Sequence, residues 1–202
     1  MARAVGGGRV LLLDVLGTLV YEPFFVEVPA FLGLSLEELL AAKHPTAWAD
    51  FERGAIDERE LERRFFRDGR AYDHAGMRAC MESAYRFLPG VEQLLADLRA
   101  AGVPMHALSN YPDWYLLIER RLKLSRFLQW SFVSCLTGHR KPEPAAFRGA
   151  LARLGLPPEG ALFVDDREEN CAAARALGIE ALRFEGADKL RAQLEQRGLL
   201  AS

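Results

Sequence analysis

The stretch Val10-Leu11-Leu12-Leu13-Asp14-Val15-Leu16-Gly17-Thr18-Leu19 decides how this chain is read. Four apolar residues in a row are too few for a helix, and an acid and a Gly-Thr turn follow them. That pattern describes a strand buried on both faces, with a polar group at its carboxyl end. Similar runs recur at residues 104–108, 131–135 and 161–164, with a weaker fifth at 180–184. Each of the first three leads into polar residues: Ser109-Asn110, Lys141 ahead of Pro142, and Asp165-Asp166.

Helical patterns lie between and after the runs, at residues 91–100, 113–124, 144–154, 167–177 and 188–195. Strands alternating with helices predict an α/β fold, a Rossmann-like core whose parallel sheet is covered by helices on both faces. Residues 22–87 break the rhythm. They hold no convincing strand and several helix starts, among them the capping-box pattern Ser35-Leu36-Glu37-Glu38 and the similar Asp57-Glu58-Arg59-Glu60. The expected organisation is a core of residues 1–21 and 88–202 with a helical cap at 22–87. The cap is inserted at the carboxyl end of the first strand, where open α/β sheets bind ligands.

Composition narrows the partners. The 202 residues are half hydrophobic and carry a net charge of −2, which gives no electrostatic drive toward nucleic acid or an anionic membrane surface. No apolar run reaches the length that spans a bilayer. Cys80, Cys135 and Cys171 are scattered, match no metal-ligand spacing, and suit a reducing compartment better than a disulfide framework. The Gly-rich leader, residues 1–9, is too short and weak to read as a signal peptide, and the sequence does not show whether a targeting segment once preceded it. Oligomeric state has no signature here.

Each polar cluster has a chemical reading beside a plain one. Asp14 can attack phosphorus and bind a cation, or can simply open a turn. Ser109 and Asn110 can hold phosphate oxygens with a hydroxyl and backbone N–H groups, or can cap a helix. Lys141 can neutralise nucleophile and phosphate together, or can be one more solvated lysine. Asp165 and Asp166 repel each other unless a cation is near, which points to a hard metal; Asp166 also fits the start of a capping box with Glu169. Parallel strands bring all four clusters to one edge of the sheet.

The order Asp-x-x-Gly-Thr-Leu, Ser-Asn, Lys-Pro and Asp-Asp-x-x-x-Asn, spanning Asp14 to Asn170, resembles the four motifs of the haloacid dehalogenase superfamily. Within it the chain is most similar to plant and algal chloroplast flavin mononucleotide (FMN) hydrolases, through Glu22-Pro23-Phe24, Val28-Pro29-Ala30-Phe31, Lys43-His44-Pro45, residues 48–66, 109–114 and 123–125, and Arg140-Lys141-Pro142. The resemblance implies a Mg²⁺-dependent phosphatase acting on a small phosphorylated metabolite, with FMN the best single candidate. Asp14 would be nucleophile and metal ligand. Asp166 would be the direct Mg²⁺ ligand with Asp165 beside it, and the Leu16 carbonyl would face the metal. Ser109 and Asn110 would bind phosphate, and Lys141 would orient it. The plant and algal relatives imply a plastid; the composition suits a reduced cytosol equally well.

One position departs from the superfamily pattern. Most of its phosphatases carry a second aspartate two residues after the nucleophile, as general acid and base; here Leu16 stands there. Losing such a group costs about 10²–10⁴ in rate. Three accounts are open: another proton donor, with His44 of the cap as candidate; a substrate with a good leaving group; or weak activity. The FMN hydrolases it resembles also have an apolar residue here, which favours the first. The haloacid dehalogenases proper lack the second aspartate too, and they use no metal, but the Asp165-Asp166 pair argues for Mg²⁺. A catalytically impaired phosphatase that binds a phospho-ligand or protein is the remaining alternative. The cap is rich in aromatics, most expected in its core; Trp48, near a break between helices, is expected to expose its ring for stacking on a flat substrate.

Overall fold

The computed structural model describes residues 8–201, so most of the Gly-rich leader lies outside the described residues. Five strands form one parallel sheet: β1 (Val10–Leu13), β2 (Met105–Ser109), β3 (Gln129–Val133), β4 (Ala161–Asp165) and β5 (Glu180–Arg183), in the order β3-β2-β1-β4-β5. The apolar run of β1 is explained by its central place. Leu11 and Leu13 point into one hydrophobic cluster and Leu12 into the other, all within 1% of full burial, so the strand has no polar face to show.

Eleven helices accompany the sheet among the described residues. α1 (Glu27–Leu32), α2 (Leu36–Ala42), α3 (Ala47–Glu52), α4 (Glu58–Arg64) and α5 (His74–Ala84) fall in the insert. α6 (Val91–Ala100), α7 (Tyr115–Leu122), α8 (Ser134–Thr137), α9 (Pro144–Leu154), α10 (Glu168–Arg175) and α11 (Ala187–Glu195) belong to the alternating part. Phe147, Ala150 and Leu151 of α9 and Cys171 and Ala174 of α10 cover one face; α6, α7 and α11 cover the other.

The insert does not build a core of its own. Val28, Leu39, Phe51, Leu61, Met77 and Met81 join the cluster that includes Leu11 and Leu13. Its helix starts follow the sequence pattern in part. Ser35 and Glu38 make a reciprocal capping box on α2, whereas Asp57 caps α4 by accepting from the Glu60 N–H at 2.7 Å and Glu60 turns to Arg63 instead. The two chain segments that enter and leave the insert pair with each other: Tyr21 N–H donates to the Arg86 carbonyl at 2.9 Å and Leu88 N–H to that of Leu19 at 3.0 Å.

The third strand differs from expectation by two residues, running 129–133 rather than 131–135. It is an edge strand whose first residue, Gln129, is exposed. Ser134 leaves the strand to start α8, its hydroxyl accepting from the Tyr111 N–H at 2.9 Å.

Candidate active site

From β1 the chain reaches β2 on one side and, later, β4 on the other. This reversal opens a crevice at the carboxyl ends of β1 and β4, with Asp14 and Asp165 on its two lips. Asp14 stays in register: its N–H donates to the Val164 carbonyl at 2.9 Å.

Lys141 sits between the carboxylates. Its Nζ donates to Asp14 Oδ1 and to Asp165 Oδ2, each at 2.6 Å, and the residue is 3% exposed. The loop that delivers it is held by Asn110, whose Oδ1 accepts from the Lys141 N–H at 2.7 Å and whose Nδ2 donates to the Lys141 carbonyl at 2.8 Å. Asn110 therefore spends its side chain on the lysine loop. Neither it nor Ser109 caps a helix, because α7 begins only at Tyr115. Ser109 is buried at the end of β2 and lines the same cavity.

The acidic pair divides into two roles. Asp165 is fully buried and saturated: Oδ1 accepts from the Arg167 N–H at 2.8 Å, Asn170 Nδ2 reaches both oxygens, and Lys141 takes Oδ2. Asp166 keeps its carboxylate largely free, with only a long 3.5 Å contact from the Thr18 hydroxyl to Oδ1. It does not cap α10; the N-cap is Arg167, and the Asp166 side chain turns toward Gly17 and Thr18 after β1. Gly17 makes room for it. A Cβ there would lie 2.9 Å from Asp166 Oδ2, and the backbone has φ of +81°, a left-handed conformation that glycine adopts without steric cost.

These residues fit a divalent cation. Asp14, Asp165 and Asp166 bring carboxylate oxygens within 4.8 Å of one another, and hard oxygen donors suit Mg²⁺. Asn170 Oδ1, beside the cluster, is buried without a partner. Asp14 and Asp166 are the carboxylates with oxygens to offer, and Leu16 lines the cavity next to them.

Charge in this pocket is costly and is partly relieved. Burial pushes the Asp14 carboxyl up to about 7 against the pull of Lys141, with Asp165 adding to the rise. For Lys141, burial pulls downward, but Asp14 and Asp165 outweigh it and hold the ammonium above its ordinary value. Asp166 is raised, first by burial and then by Asp165.

The cavity is about 610 Å³, in the range of small-molecule sites, and the insert supplies its outer wall through Glu22, Phe24, Phe25, Leu40, Lys43, Trp48 and Glu52. Trp48 does line it, but its ring is half-buried rather than exposed. It packs against Phe24, Phe51, Tyr111 and Trp114 with centroids 5.8–6.2 Å apart, and Nε1 donates to Glu52 Oε1 at 2.7 Å. Phe25 is the exposed ring, 53% accessible. His44 is not among the lining residues. Its Nδ1 accepts from the Thr46 and Ala47 N–H groups at 3.3 and 3.2 Å, which makes it the side-chain acceptor at the start of α3.

Sequence reasoning missed five charged residues here: Glu22, Lys43, Glu52, Arg140 and Arg167. Glu52 is 6% exposed and accepts from Arg140 Nε at 2.6 Å. With the Arg53–Glu143 ion pair it ties α3 to the loop that carries Lys141.

The haloacid dehalogenase-like hydrolase family model matches residues 9–178. The chain is 45% identical to flavin mononucleotide hydrolase 1 of Arabidopsis thaliana, a chloroplast protein, over 96% of this chain and 79% of that one. Among solved structures, a haloacid dehalogenase family enzyme of Bacteroides thetaiotaomicron in complex with magnesium and inorganic phosphate superposes with a TM-score of 0.68 at 24% identity, covering 90% of this chain and 97% of that one. An L-2-haloacid dehalogenase superposes at 0.60 with 27% identity, covering 87% and 83%. By its motifs, its sheet order and these matches, the chain belongs to the haloacid dehalogenase-like hydrolases.

Proposed function

We propose that this protein is a Mg²⁺-dependent phosphatase that hydrolyses FMN to riboflavin and phosphate through a phosphoryl-Asp14 intermediate. The observation that carries the reading is the convergence of Asp14, Lys141 and a free Asp166 carboxylate in a cavity whose outer wall includes the rings of Phe24, Phe25 and Trp48. The 45% identity to an FMN hydrolase supports the substrate.

Asp14 Oδ attacks phosphorus in line with the departing ester oxygen. Lys141 has three N–H donors and spends two on Asp14 and Asp165, so the third is available to a phosphate oxygen. The Ser109 hydroxyl and the backbone N–H of Asn110, both residues lining the cavity, donate to other phosphate oxygens. Asp165 holds the ammonium in position, and Asn170 holds Asp165. Asp14 and Asp166, with the Leu16 carbonyl, would hold Mg²⁺, which when bound offsets the charge of the phosphoryl group beside a carboxylate nucleophile. The residues 22–87 act as a cap, and its Phe24, Phe25, Leu40 and Trp48 provide the apolar wall for a flat ring.

Among the described residues no helix is long and apolar enough to cross a membrane. The chloroplast relative supports a plastid location, which imaging of a fluorescent fusion of the full-length protein in leaf cells tests: diffuse cytosolic signal would reject it.

The deciding assay is phosphate release from FMN with and without Mg²⁺, for the native protein and Asp14→Asn. Metal-dependent release that the substitution abolishes is the expected result. Metal-independent turnover of 2-haloacids, with no release from any phosphate ester, would replace the reading with dehalogenation.

A further inference from the structure

Hydrolysis of an alkyl phosphate needs a proton for the leaving oxygen and a base for the attacking water, and Leu16 can supply neither. Eight titratable side chains line the cavity, and none is His, Cys or Tyr. Lys43, Arg140, Lys141 and Arg167 are the basic side chains among them. Of the four carboxylates, Asp14 is the nucleophile and Asp166 the metal ligand in the reading above, and Glu52 is tied on both oxygens by Trp48 and Arg140. Glu22 is left.

Its placement suits the task. The paired segments around Tyr21 and Arg86 put Glu22 at the first turn of the cap, still facing the core crevice. Oε1 accepts from the Phe24 N–H at 2.9 Å, which fixes the side chain. Among the described residues Oε2 has no hydrogen-bond partner and no cation pairs with the carboxylate. We propose that Glu22 is the general acid and base of this enzyme, acting from the cap in the role that Leu16 leaves vacant.

The inference rests on the phosphatase reading. In the first step Asp14 Oδ bonds to phosphorus, the bond from phosphorus to the ester oxygen breaks, and that oxygen takes the proton of the Glu22 carboxyl, giving the free alcohol. In the second step Glu22, now a carboxylate, removes a proton from water as its oxygen bonds to phosphorus. The Asp14–phosphorus bond breaks, and inorganic phosphate, ionised Asp14 and protonated Glu22 result.

A proton donor must hold its proton near neutrality. Burial pushes Glu22 up to about 7, opposed by the Phe24 N–H and reinforced by the negative charges of Glu52 on α3, Asp14 after β1 and Asp166 after β4. The cations that face it across the cavity are Lys43 of the cap and Arg140, Lys141 and Arg167 of the core.

The test compares native protein with Glu22→Gln, which keeps the acceptor for Phe24, on FMN and on 4-nitrophenyl phosphate, whose leaving group needs no proton. On FMN the variant should lose about 10²-fold or more in kcat. On 4-nitrophenyl phosphate it should release about one equivalent of nitrophenol per enzyme in a burst of near-native rate, then turn over slowly as phosphorylated Asp14 accumulates. In the native protein kcat/KM for FMN should fall as pH rises through neutrality, while kcat/KM for the aryl ester lacks that limb; this holds even if the variant folds poorly. A variant with native kcat on FMN, or one with equally slow first turnover on both esters, overturns the role of Glu22 alone. A native protein that releases phosphate from neither ester overturns the phosphatase reading, and the role of Glu22 with it.

Discussion

Removing the cation between the two strand-tip acids tests the electrostatics of the site most directly. In Lys141→Met a side chain of similar length loses its charge while the carboxyl groups of Asp165, fully buried, and Asp14, 7% exposed, remain. Each 2.6 Å contact to Lys141 corresponds to about 6 kcal/mol of attraction at an effective dielectric of about 20, most of it offset by the desolvation of the ions. What the variant suffers is the exposure of that desolvation. Stripping one partner from a buried pair costs about 3–5 kcal/mol, and here two carboxylates lose theirs. Urea denaturation followed by circular dichroism at about pH 8, without Mg²⁺, should show at least that loss, equivalent to roughly 6–20 °C in Tm for a chain of this size. The deficit should shrink at lower pH. Burial already holds Asp14 up at about 7 and Lys141 is the largest influence against it, so the variant drives that carboxyl higher still. A group raised in the folded state contributes stability below its unfolded pKa and loses it as pH rises through the folded one. A loss under about 1 kcal/mol, or one independent of pH, would refute the claim that Lys141 holds buried charge together.

Gly17→Ala places a Cβ 2.9 Å from Asp166 Oδ2 at φ of +81°; Mg²⁺ affinity by calorimetry should weaken about tenfold or more, with about 1 kcal/mol lost from the fold, and native affinity would show that the Asp166 carboxylate needs no such cradle. Phe25→Ala removes a ring that is 53% exposed and should raise KM for FMN about tenfold, as loss of one stacking contact does, leaving KM for a small phosphate ester unchanged; equal effects on both substrates would sink the stacking role. Glu22→Gln should be more stable than native at about pH 8 and equal to it below about pH 4, because a carboxyl raised from 4.5 to about 7 by burial costs the native fold on the order of 3 kcal/mol once ionised; identical urea midpoints across that range would show the group is not raised. Arg140→Ala leaves Glu52 buried with only Trp48 as partner and should cost about 2–4 kcal/mol, measured by thermal unfolding, with no change meaning that α3 is held to the Lys141 loop by packing alone.

The central elements were legible because their burial is written as local pattern. β1 and β4 have apolar residues on both faces, and α6 and α9 match their expected limits because their apolar spacing is set by one sheet face each. Edge position blurred β3, where Gln129, Trp130 and Ser131 meet solvent in part. The polar residues at the strand tips were legible for the same reason as the strands, since a parallel sheet delivers its carboxyl ends to one edge. Less legible is how each polar side chain is partnered. Asn110 stands among phosphate-binding candidates by its position, and nothing local shows that its side-chain amide is held by a partner 31 residues away. His44 carries the right chemistry for a proton donor, but its ring nitrogen is satisfied two and three residues downstream. Glu22 precedes a proline turn that it caps, and only the pairing of residues 19–21 with 86–88 brings it over the crevice.

That pairing bears on why an apolar residue is tolerated at position 16. A carboxyl there would sit on the loop that follows β1, beside Asp14 and Asp166 and close to any cation they hold. The cation's field favours the ionised form and works against keeping a proton to donate. At Glu22 the balance is reversed: desolvation of the half-buried side chain raises it first, and the charges that add to the rise are the carboxylates Glu52, Asp14 and Asp166. Two of those carboxylates, Asp14 and Asp166, are what a cation would neutralise, so the two sites are coupled. Binding Mg²⁺ should lower the pKa of Glu22 by removing part of the repulsion, while burial, the largest cause of the rise, remains. The alkaline limb of kcat/KM for FMN should therefore stay near neutrality at saturating Mg²⁺ rather than drop into the ordinary carboxylate range. A limb that moved down by more than about two pH units on saturation would mean that charge repulsion, not burial, keeps the proton on Glu22.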